Sequence, residues 1–303
     1  MYETILVTGA TGKTGGHLTL NLLERGLPVR AFTRKRSPES ERLREAGAEI
    51  AIGDMLDIHS LQAAFEGVRR VYFAYPFTPG LLEAGMNLVA CAKEAEVELL
   101  VNLSQIITSR GHASAATHQH WLSEQGMGWA GIPTAHLYPG LFMENLLLIA
   151  APSVAAGKDI SLPWGAGRHA PVAAADIARV AAAILAAEDP EQHLGQRYVV
   201  TGPEVYSMAE VASLIGAAIG RDIGYREITD DEWLQAIGQW PEAYNNPQFR
   251  SHAPALAADI REGQFDRATT VVRDVAGAAP TTLPAFLDQV VDHFRDSQEA
   301  QHA

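Results

Sequence analysis

Three glycines follow the first apolar run of the chain at intervals of three residues, at Gly9, Gly12 and Gly15. In such a turn the first glycine permits a tight bend, the second lets backbone approach a diphosphate, and the third lets a helix pack closely on a strand. The N-terminus of the helix that follows offers N–H groups to an anion. The pattern therefore predicts a dinucleotide-binding turn. We expect three further residues of this turn to contact the nucleotide, namely Thr11, Lys13 and Thr14.

A phosphate loop of a nucleoside triphosphatase is a rival interpretation, because Gly12, Lys13 and Thr14 imitate the end of its motif. That motif also requires a glycine at the position where this chain has Val7. Without that glycine the loop is too short to wrap a β-phosphate. The dinucleotide interpretation is therefore favoured.

The second apolar run ends at Thr33, where an NAD site usually supplies a carboxylate for the ribose 2′-hydroxyl. Arg34, Lys35 and Arg36 follow instead, and their charge suits the 2′-phosphate of NADP. We therefore predict that NADP(H) is the cofactor and that Thr33, Arg34 and Lys35 contact it.

Short apolar runs alternate with helical patterns through the first half of the chain, at residues 5–8, 29–33, 49–53, 71–74, 99–104 and 134–138. Alternation of this kind predicts an α/β fold, a doubly wound Rossmann-type parallel sheet covered by helices. Residues directly after these strands should border the cofactor. Those we expect to do so include Ala74, Tyr75 and Pro139.

The second half of the chain is richer in helical patterns. Capping boxes begin at Ser207 and Thr229, each with Glu three residues later. We expect an NADP-binding Rossmann domain over residues 1–155. A smaller, mostly helical substrate-binding lobe should occupy residues 156–303, with some segments returning to the first domain.

Four segments resemble the NmrA-like family of atypical short-chain dehydrogenases, and the resemblance extends over nearly the whole chain. They are residues 7–12 (VTGATG), 53–57 (GDMLD), 120–124 (HWLSE) and 138–145 (YPGLFMEN). The family includes triphenylmethane reductases, quinone reductases and redox-sensing regulators. The resemblance implies that Asp54 and Met55 lie near the adenine, although Asp54 has a turn role as its alternative.

Most reductases of this superfamily carry a Tyr-x-x-x-Lys pair after the fifth strand, and the tyrosine exchanges a proton with the substrate. Alignment with the family pattern places Ala116 and His120 at these positions, so the usual proton donor is absent. His120 is the best remaining titratable group, although a packed histidine is the alternative. Ser104 and Tyr138 are further catalytic candidates, and Tyr138 has lining of the nicotinamide pocket as its alternative. We expect a substrate pocket that includes Phe142, Asn145 and Trp164, with the stretch 233–240 as a further candidate.

These features predict an NADPH-dependent reductase of a small organic acceptor, such as a quinone, an enone, an imine or a dye-like cation. Such acceptors take hydride at carbon or nitrogen without a phenol beside a carbonyl. A non-catalytic NADP(H)-binding redox sensor is the alternative. A non-redox isomerase, lyase or cyclase on the same fold is a lesser one.

The composition narrows the partners and the location. The net charge is −13, which disfavours nucleic acid and anionic membranes as partners. The single cysteine, Cys91, excludes a disulfide framework. No stretch reaches 18 uninterrupted apolar residues. We expect a cytoplasmic protein with a small-molecule substrate, no metal site and a possible homodimer.

Overall fold

The computed structural model of the protein describes residues 3–242 and 244–295. The strands are β1 (Thr4–Val7), β2 (Val29–Thr33), β3 (Glu49–Ile52), β4 (Val68–Phe73), β5 (Leu99–Leu103), β6 (Thr134–Pro139), β7 (Ile160–Leu162), β8 (Arg168–His169), β9 (Arg197–Val200), β10 (Tyr206–Ser207) and β11 (Tyr225–Glu227). The helices are α1 (Lys13–Glu24), α2 (Pro38–Glu45), α3 (Ile58–Ala64), α4 (Leu81–Glu94), α5 (Ala115–Trp129), α6 (Leu146–Ile149), α7 (Ala151–Ala155), α8 (Ala174–Leu185), α9 (Met208–Ile219), α10 (Asp230–Ile237), α11 (Pro247–Arg261), α12 (Val271–Ala276) and α13 (Leu283–Val290).

The chain divides into two compact units. The first contains the described residues up to Pro139, together with Ala174–Val199 and Val271–Ala278. The second contains Gly140–Ala173, Val200–Thr270 and the described residues from Ala279 onward. Residues 140–155 thus lie in the second unit, although we expected them in the first domain. The boundary at residue 155, as a limit between folding domains, stays a prediction.

A seven-stranded sheet forms the centre of the first unit, in the order β3-β2-β1-β4-β5-β6-β9. The pairings from β3 through β6 are all parallel. Each of these strands reaches the next through a crossover helix, as parallel neighbours require. The predicted doubly wound sheet is confirmed. The strand order reverses between β1 and β4, and open sheets of this type bind ligands at the carboxyl ends of strands at such a point.

The core of the first unit is built from the apolar faces of the central strands. Leu6, Val71 and Leu100 have no exposed surface and pack together in one cluster. On another part of the unit, α1 packs against the alanine-rich helix α8. Ala178 and Ala181 on α8 are fully buried, and their small side chains permit close packing of two helices. Because α1 begins directly after the glycine turn, this packing also fixes the position of the turn.

The second unit combines helices with two small sheets. Strand β10 pairs with β8 in antiparallel fashion, and β11 pairs with β7 in parallel. Helix α10 packs against α11. The predicted capping boxes at Ser207 and Thr229 are both formed. The prediction of a mostly helical lobe did not include the two small sheets.

In the part of the chain that the structure describes, no helix combines the length and the apolar character that crossing a bilayer requires.

Candidate active site

The glycine turn has a geometry that only glycine allows. Gly9 has φ of +60°, and a Cβ at this position would lie 3.0 Å from the carbonyl oxygen of Ala74. A Cβ on Gly15 would lie 2.3 Å from the carbonyl oxygen of Gly9, closer than any real contact. A Cβ on Gly12 would lie 3.1 Å from the same oxygen. The backbone of the turn is therefore folded tightly on itself against the end of β4.

The N-terminus of α1 offers backbone N–H groups without a competing side chain. Gly12 is its N-cap and supplies no side-chain hydrogen bond, and the first turn carries no acidic residue. The partial positive charge of a helix N-terminus favours an anion. Thr11 and Lys13 are exposed here, as a nucleotide contact requires. The turn and the start of the helix together fit a diphosphate. They combine the tight bend and the free backbone N–H groups that the spacing of Gly9, Gly12 and Gly15 predicts.

Hydrogen bonds fix the turn from the side of β4. The hydroxyl of Thr8 accepts from the N–H of Ala74 at 3.0 Å, and its single proton is shared between the carbonyl oxygens of Tyr72 (3.1 Å) and Ala74 (3.2 Å). The phenol of Tyr72 donates to the hydroxyl of Thr14 at 2.9 Å. The side chain of Thr14 is thus engaged within the protein, so we expect its contact with a nucleotide to come from its backbone.

The basic residues within and directly after β2 differ in whether they form ion pairs inside the protein. Arg30 lies 2.9 Å from Glu49, and Arg36 lies 3.2 Å from Glu41. Arg34 and Lys35 are exposed, and neither forms an ion pair with any residue that the structure describes. Contact of Arg34 and Lys35 with a nucleotide stays a prediction.

Thr33, Asp54 and Met55 are predicted cofactor residues whose polar groups are mostly engaged locally. The hydroxyl of buried Thr33 donates to the carbonyl oxygen of Lys35 at 3.2 Å, which shapes the chain after β2. Asp54 Oδ1 accepts from the N–H of Leu56 at 3.0 Å, which is the turn role weighed for it. The side chain of Met55 is buried. Adenine contact by Asp54 and Met55 stays a prediction.

Ala74, Tyr75 and Pro139 lie at the carboxyl ends of β4 and β6, as expected from the strand pattern. Ala74 is mostly buried beside Gly9. The phenol of Tyr75 donates to the carbonyl oxygen of Pro79 at 3.0 Å. The carbonyl oxygen of Pro139 accepts from the N–H of Ile106 at 3.2 Å. Their contact with a cofactor also stays a prediction.

A buried carboxyl group joins two of the predicted catalytic residues. Glu124 on α5 accepts from Ser104 at 2.5 Å through Oε1 and from the phenol of Tyr138 at 2.7 Å through Oε2. Glu124 is only 5% exposed. Ser104 follows β5 and Tyr138 lies in β6, so the helix and two neighbouring strand ends bring the three side chains together.

Burial has the largest effect on the pKa values of Glu124 and Tyr138. Burial raises the pKa of Glu124 above its usual value. This shift is opposed by the hydrogen bonds from Ser104 and Tyr138 and by the charge of Arg197. Burial, then the charge of Glu124, raises the pKa of Tyr138. Tyr138 therefore keeps its proton at neutral pH, and that proton points to Glu124.

Glu124 is a residue that the sequence reasoning missed as a functional candidate, because it served only as a landmark of the family pattern. The sequence does contain a signal that could have identified Glu124. Thr117, Glu124 and Met127 are all buried on α5 at helical spacing, so an acidic residue falls on the apolar stripe of this helix. A charge on a buried stripe needs partners.

His120 lies on α5, one turn after the buried Ala116. Burial lowers the pKa of His120 to about 4. At neutral pH the ring is therefore uncharged and carries no excess proton to donate. This is a poor match to a general acid near neutral pH, and a hydrogen bond from the neutral ring to a ribose is the role that remains predicted.

The three predicted substrate residues line one pocket within the second unit. Phe142, Asn145 and Trp164 form part of its wall together with Trp233 from α10. The cavity between the lining atoms has a volume of about 70 Å³ and opens to solvent. The structure thus brings these residues together, and their role in substrate binding stays a prediction.

No group of three or more His, Cys, Asp or Glu side chains within residues 3–242 and 244–295 is arranged to hold a metal ion.

Comparison with known proteins finds a curated relative and solved structures that are similar to this chain. The NAD(P)H azoreductase of Xenophilus azovorans is 35% identical over 237 residues, which cover 77% of this chain and 80% of that protein. An NADPH-dependent quinone oxidoreductase from Escherichia coli, solved with NADPH, superposes with a TM-score of 0.81 at 20% identity, covering 95% of this chain and 99% of the other.

The negative transcriptional regulator NmrA superposes with a TM-score of 0.79 at 18% identity, covering 100% of this chain and 99% of that chain. At these low identities the two superpositions establish a shared fold alone. The family evidence comes from sequence, because the NmrA-like family matches residues 1–281. The protein is therefore a member of the NmrA-like family.

Proposed function

We propose that the protein is an NADPH-dependent reductase of a small organic acceptor. The observation that carries the proposal is the pair of anion sites at neighbouring strand ends. The N-terminus of α1, which has no side-chain cap, follows β1, and the exposed Arg34 and Lys35, which form no ion pair with a described residue, follow β2. A nicotinamide dinucleotide with a 2′-phosphate presents anionic groups of these two kinds. The curated relative with 35% identity is named as an NAD(P)H azoreductase, which agrees with this assignment.

The residues that would hold the cofactor can be assigned by their chemistry. The N-terminus of α1 would bind the diphosphate, because its first turn has no side-chain cap and no acidic residue, and the glycines let the turn before it fold tightly. Arg34 and Lys35 bind the 2′-phosphate. When bound, NADPH would supply a hydride to the acceptor; a quinone, an enone or an uncharged imine also takes up a proton, whereas a cationic dye is neutralised by the hydride alone.

The proton side of the reaction involves Ser104, Glu124 and Tyr138. Both hydroxyl protons point to the carboxylate of Glu124, so this carboxylate orients the two hydroxyls. Tyr138 keeps its proton at neutral pH, since its pKa is raised by burial. We assign Glu124 as a positioning residue for Tyr138 and Ser104.

Turnover tests the reductase proposal directly. The oxidation of NADPH is followed by absorbance with quinones, enones, imines, azo compounds and cationic dyes as acceptors. Turnover of any acceptor well above the rate without enzyme is expected. Failure of every acceptor, together with tight NADPH binding by calorimetry, would overturn the reductase assignment but not the cofactor assignment.

A redox sensor is a second candidate that one observation favours. None of the predicted proton donors carries a proton that is both free of a partner inside the protein and acidic at neutral pH: Ser104 and Tyr138 donate to Glu124, and the ring of His120 is neutral. A sensor needs no proton donor, but it needs a segment whose order differs between NADP and NADPH. Limited proteolysis with each nucleotide checks this. A cleavage pattern that differs between the nucleotides, without turnover, supports the sensor.

A cytoplasmic location and a homodimer remain part of the proposal. Light scattering during size-exclusion chromatography measures the mass in solution. A dimer should have about twice the chain mass of 32.6 kDa.

A further inference from the structure

A single proton lies between the side chains of Tyr138 and Glu124. The phenol donates to Oε2 of Glu124 at 2.7 Å, and an ionised carboxylate has no proton to offer in return. While this bond is in place, the phenol proton is not available to an acceptor.

Loss of that proton would leave a phenolate and a carboxylate facing each other. The two residues are 7% and 5% exposed, so little water could screen their charges. Two like charges this close in a buried site cannot both persist. A second proton must therefore enter the pair before Tyr138 can give its own proton away.

Ser104 and Thr108 determine which oxygen of Glu124 takes the second proton. The hydroxyl of Ser104 has one proton, and it donates this proton to Oε1 of Glu124 at 2.5 Å. The hydrogen bond of 3.0 Å between the hydroxyls of Ser104 and Thr108 must then be donated by Thr108. Because Oε1 is already an acceptor, a proton added to Glu124 lies on Oε2, where it faces the phenol of Tyr138.

The other titratable and charged groups near the pair do not supply this proton. The guanidinium of Arg197 lies 5.9 Å from the centroid of the Tyr138 ring, and an arginine does not give up its proton in a protein. The rings of His136, which stacks on Tyr138, and His120 have pKa values lowered to about 4 and are neutral at pH 7. Burial instead raises the pKa of Glu124, against the opposing charge of Arg197.

We propose that Glu124 supplies the proton which the reduction consumes, and that it acts through Tyr138. The inference rests on the proposed function, because it describes the proton step of that reaction. In the reactive form Glu124 is protonated on Oε2 and donates to the phenol oxygen, and the proton of the phenol is free to face the acceptor.

The step is balanced in protons and electrons. The acceptor gains two electrons as the hydride of NADPH. The phenol O–H bond breaks as the acceptor takes that proton, and the Oε2–H bond of Glu124 breaks as the phenol takes its replacement. The new phenol proton then lies against an ionised Glu124, which is the arrangement in the structure. Glu124 recovers its proton from solvent before the next cycle.

Infrared spectroscopy of the nucleotide-free protein tests the position of the second proton without any reaction. A protonated carboxyl group has a C=O stretching band that an ionised one lacks. We expect a band that disappears as the pH rises, is missing in Glu124→Gln and shifts in Tyr138→Phe, because the acid then loses its acceptor. Absence of a Glu124 band at every pH at which the protein is folded would overturn the inference. A band that Tyr138→Phe does not move would also overturn it.

Two acceptors that differ in proton demand test the step itself in single-turnover experiments with NADPH. 1,4-Naphthoquinone takes up a proton with the hydride, whereas the cationic dye crystal violet takes the hydride alone. The rate with naphthoquinone should fall as the pH rises through the range in which the infrared band disappears, and the rate with crystal violet should not. A pH profile shared by both acceptors would contradict the inference. This comparison uses the unmodified protein.

Glu124→Gln assigns the effect to the carboxyl group. Its amide can donate to the phenol but cannot give up a proton, so the rate with naphthoquinone should fall by about 10²-fold or more and lose its dependence on pH. The rate with crystal violet should be unchanged, whereas general damage to the site would slow both acceptors. Glu66→Gln, the same change at an exposed position of the same unit, is the control. An unchanged rate with naphthoquinone in Glu124→Gln would overturn the inference.

The outcomes separate this inference from the proposed function. Turnover of naphthoquinone without any effect of Glu124→Gln would overturn the proton step and leave the reductase assignment standing. Turnover of crystal violet alone, with no quinone, enone or imine reduced, would have the same meaning. Turnover of no acceptor would overturn both, even where the infrared band places a proton between Glu124 and Tyr138.

Discussion

The phenol oxygen of Tyr138 and Oε2 of Glu124 lie 2.7 Å apart, and the phenol donates to the carboxylate. Each group changes the pKa of the other. The hydrogen bond lowers the pKa of Glu124 against the larger opposing effect of burial, whereas the nearby carboxylate adds to the burial that raises the pKa of Tyr138. The proton between them is therefore held on the phenol, where the reaction of a bound acceptor could draw on it.

Tyr138→Phe removes that proton and leaves Glu124 with the hydrogen bond from Ser104. If the phenol supplies the proton to the acceptor, kcat should fall by about 10²-fold or more, with a smaller change in KM. The pH dependence of kcat with a quinone is the measurement. Tyr198→Phe is the control, because its phenol interacts with His193 instead. An unchanged kcat would leave Tyr138 only as a pocket residue.

Arg34→Ala should weaken NADPH and affect NADH far less. A hydrogen bond to a charged group is worth roughly 1.5–3 kcal/mol, so a loss of about 10- to 150-fold in NADPH affinity is expected. Solvent screening at this exposed side chain places the effect near the lower value. Calorimetric titration with both nucleotides checks it. Arg42→Ala on α2 controls for the loss of one positive charge, and equal losses for NADPH and NADH would refute a 2′-phosphate contact.

Gly15→Ala and Gly16→Ala differ by one position and should have opposite results. A Cβ on Gly15 would lie 2.3 Å from the carbonyl oxygen of Gly9, whereas one on Gly16 would lie 3.5 Å from the carbonyl oxygen of Ala10, an ordinary contact. Gly15→Ala should cost about 1–3 kcal/mol of unfolding free energy and at least roughly tenfold in nucleotide affinity, the equivalent of 1.4 kcal/mol. Gly16→Ala should be neutral or stabilising by about 0.5–1 kcal/mol. Urea unfolding and nucleotide titration measure both, and matching behaviour of the pair would contradict the close packing of the turn.

The stability of the protein should fall as the pH decreases from 6.5 to 4. Burial, then the charge of Arg197, lowers the pKa of His136 from its usual value of 6.5 to about 4. Between these values the unfolded chain binds a proton that the folded chain does not, so acid favours unfolding. His136→Gln should reduce the slope of unfolding free energy against pH in this window, measured by urea unfolding. His17→Gln, at an exposed position, should leave the slope unchanged. An unaltered slope in His136→Gln would show that this ring is not the source.

The fold was predictable because the strands of a covered parallel sheet are short apolar runs between helices. The limits of that signal are visible in β4, which begins at Val68 and includes Arg69 and Arg70. Arg70 lies 2.6 Å from Glu98 and donates to the carbonyl oxygen of Leu185, so partners distant in sequence permit a charge inside the strand. The apolar pattern alone therefore started this strand three residues late.

Candidate site residues could be proposed from the sequence only where the pattern lies within one short segment of the chain. The glycine turn and the basic residues after β2 are local patterns that follow directly on the apolar runs of β1 and β2, and their contact with a nucleotide stays a prediction. Glu124 acquires its meaning from Ser104 and Tyr138, which lie 20 and 14 residues away along the chain.

The hydrogen bonds of Thr8 and Tyr72 have a consequence for the kinetics of nucleotide association. Because these bonds lie entirely within the protein, the turn between β1 and α1 has its final shape before a nucleotide arrives. A preorganised loop loses little conformational freedom on binding. We therefore expect the observed association rate of NADPH to rise linearly with nucleotide concentration in stopped-flow experiments, without the plateau that a slow loop rearrangement would impose.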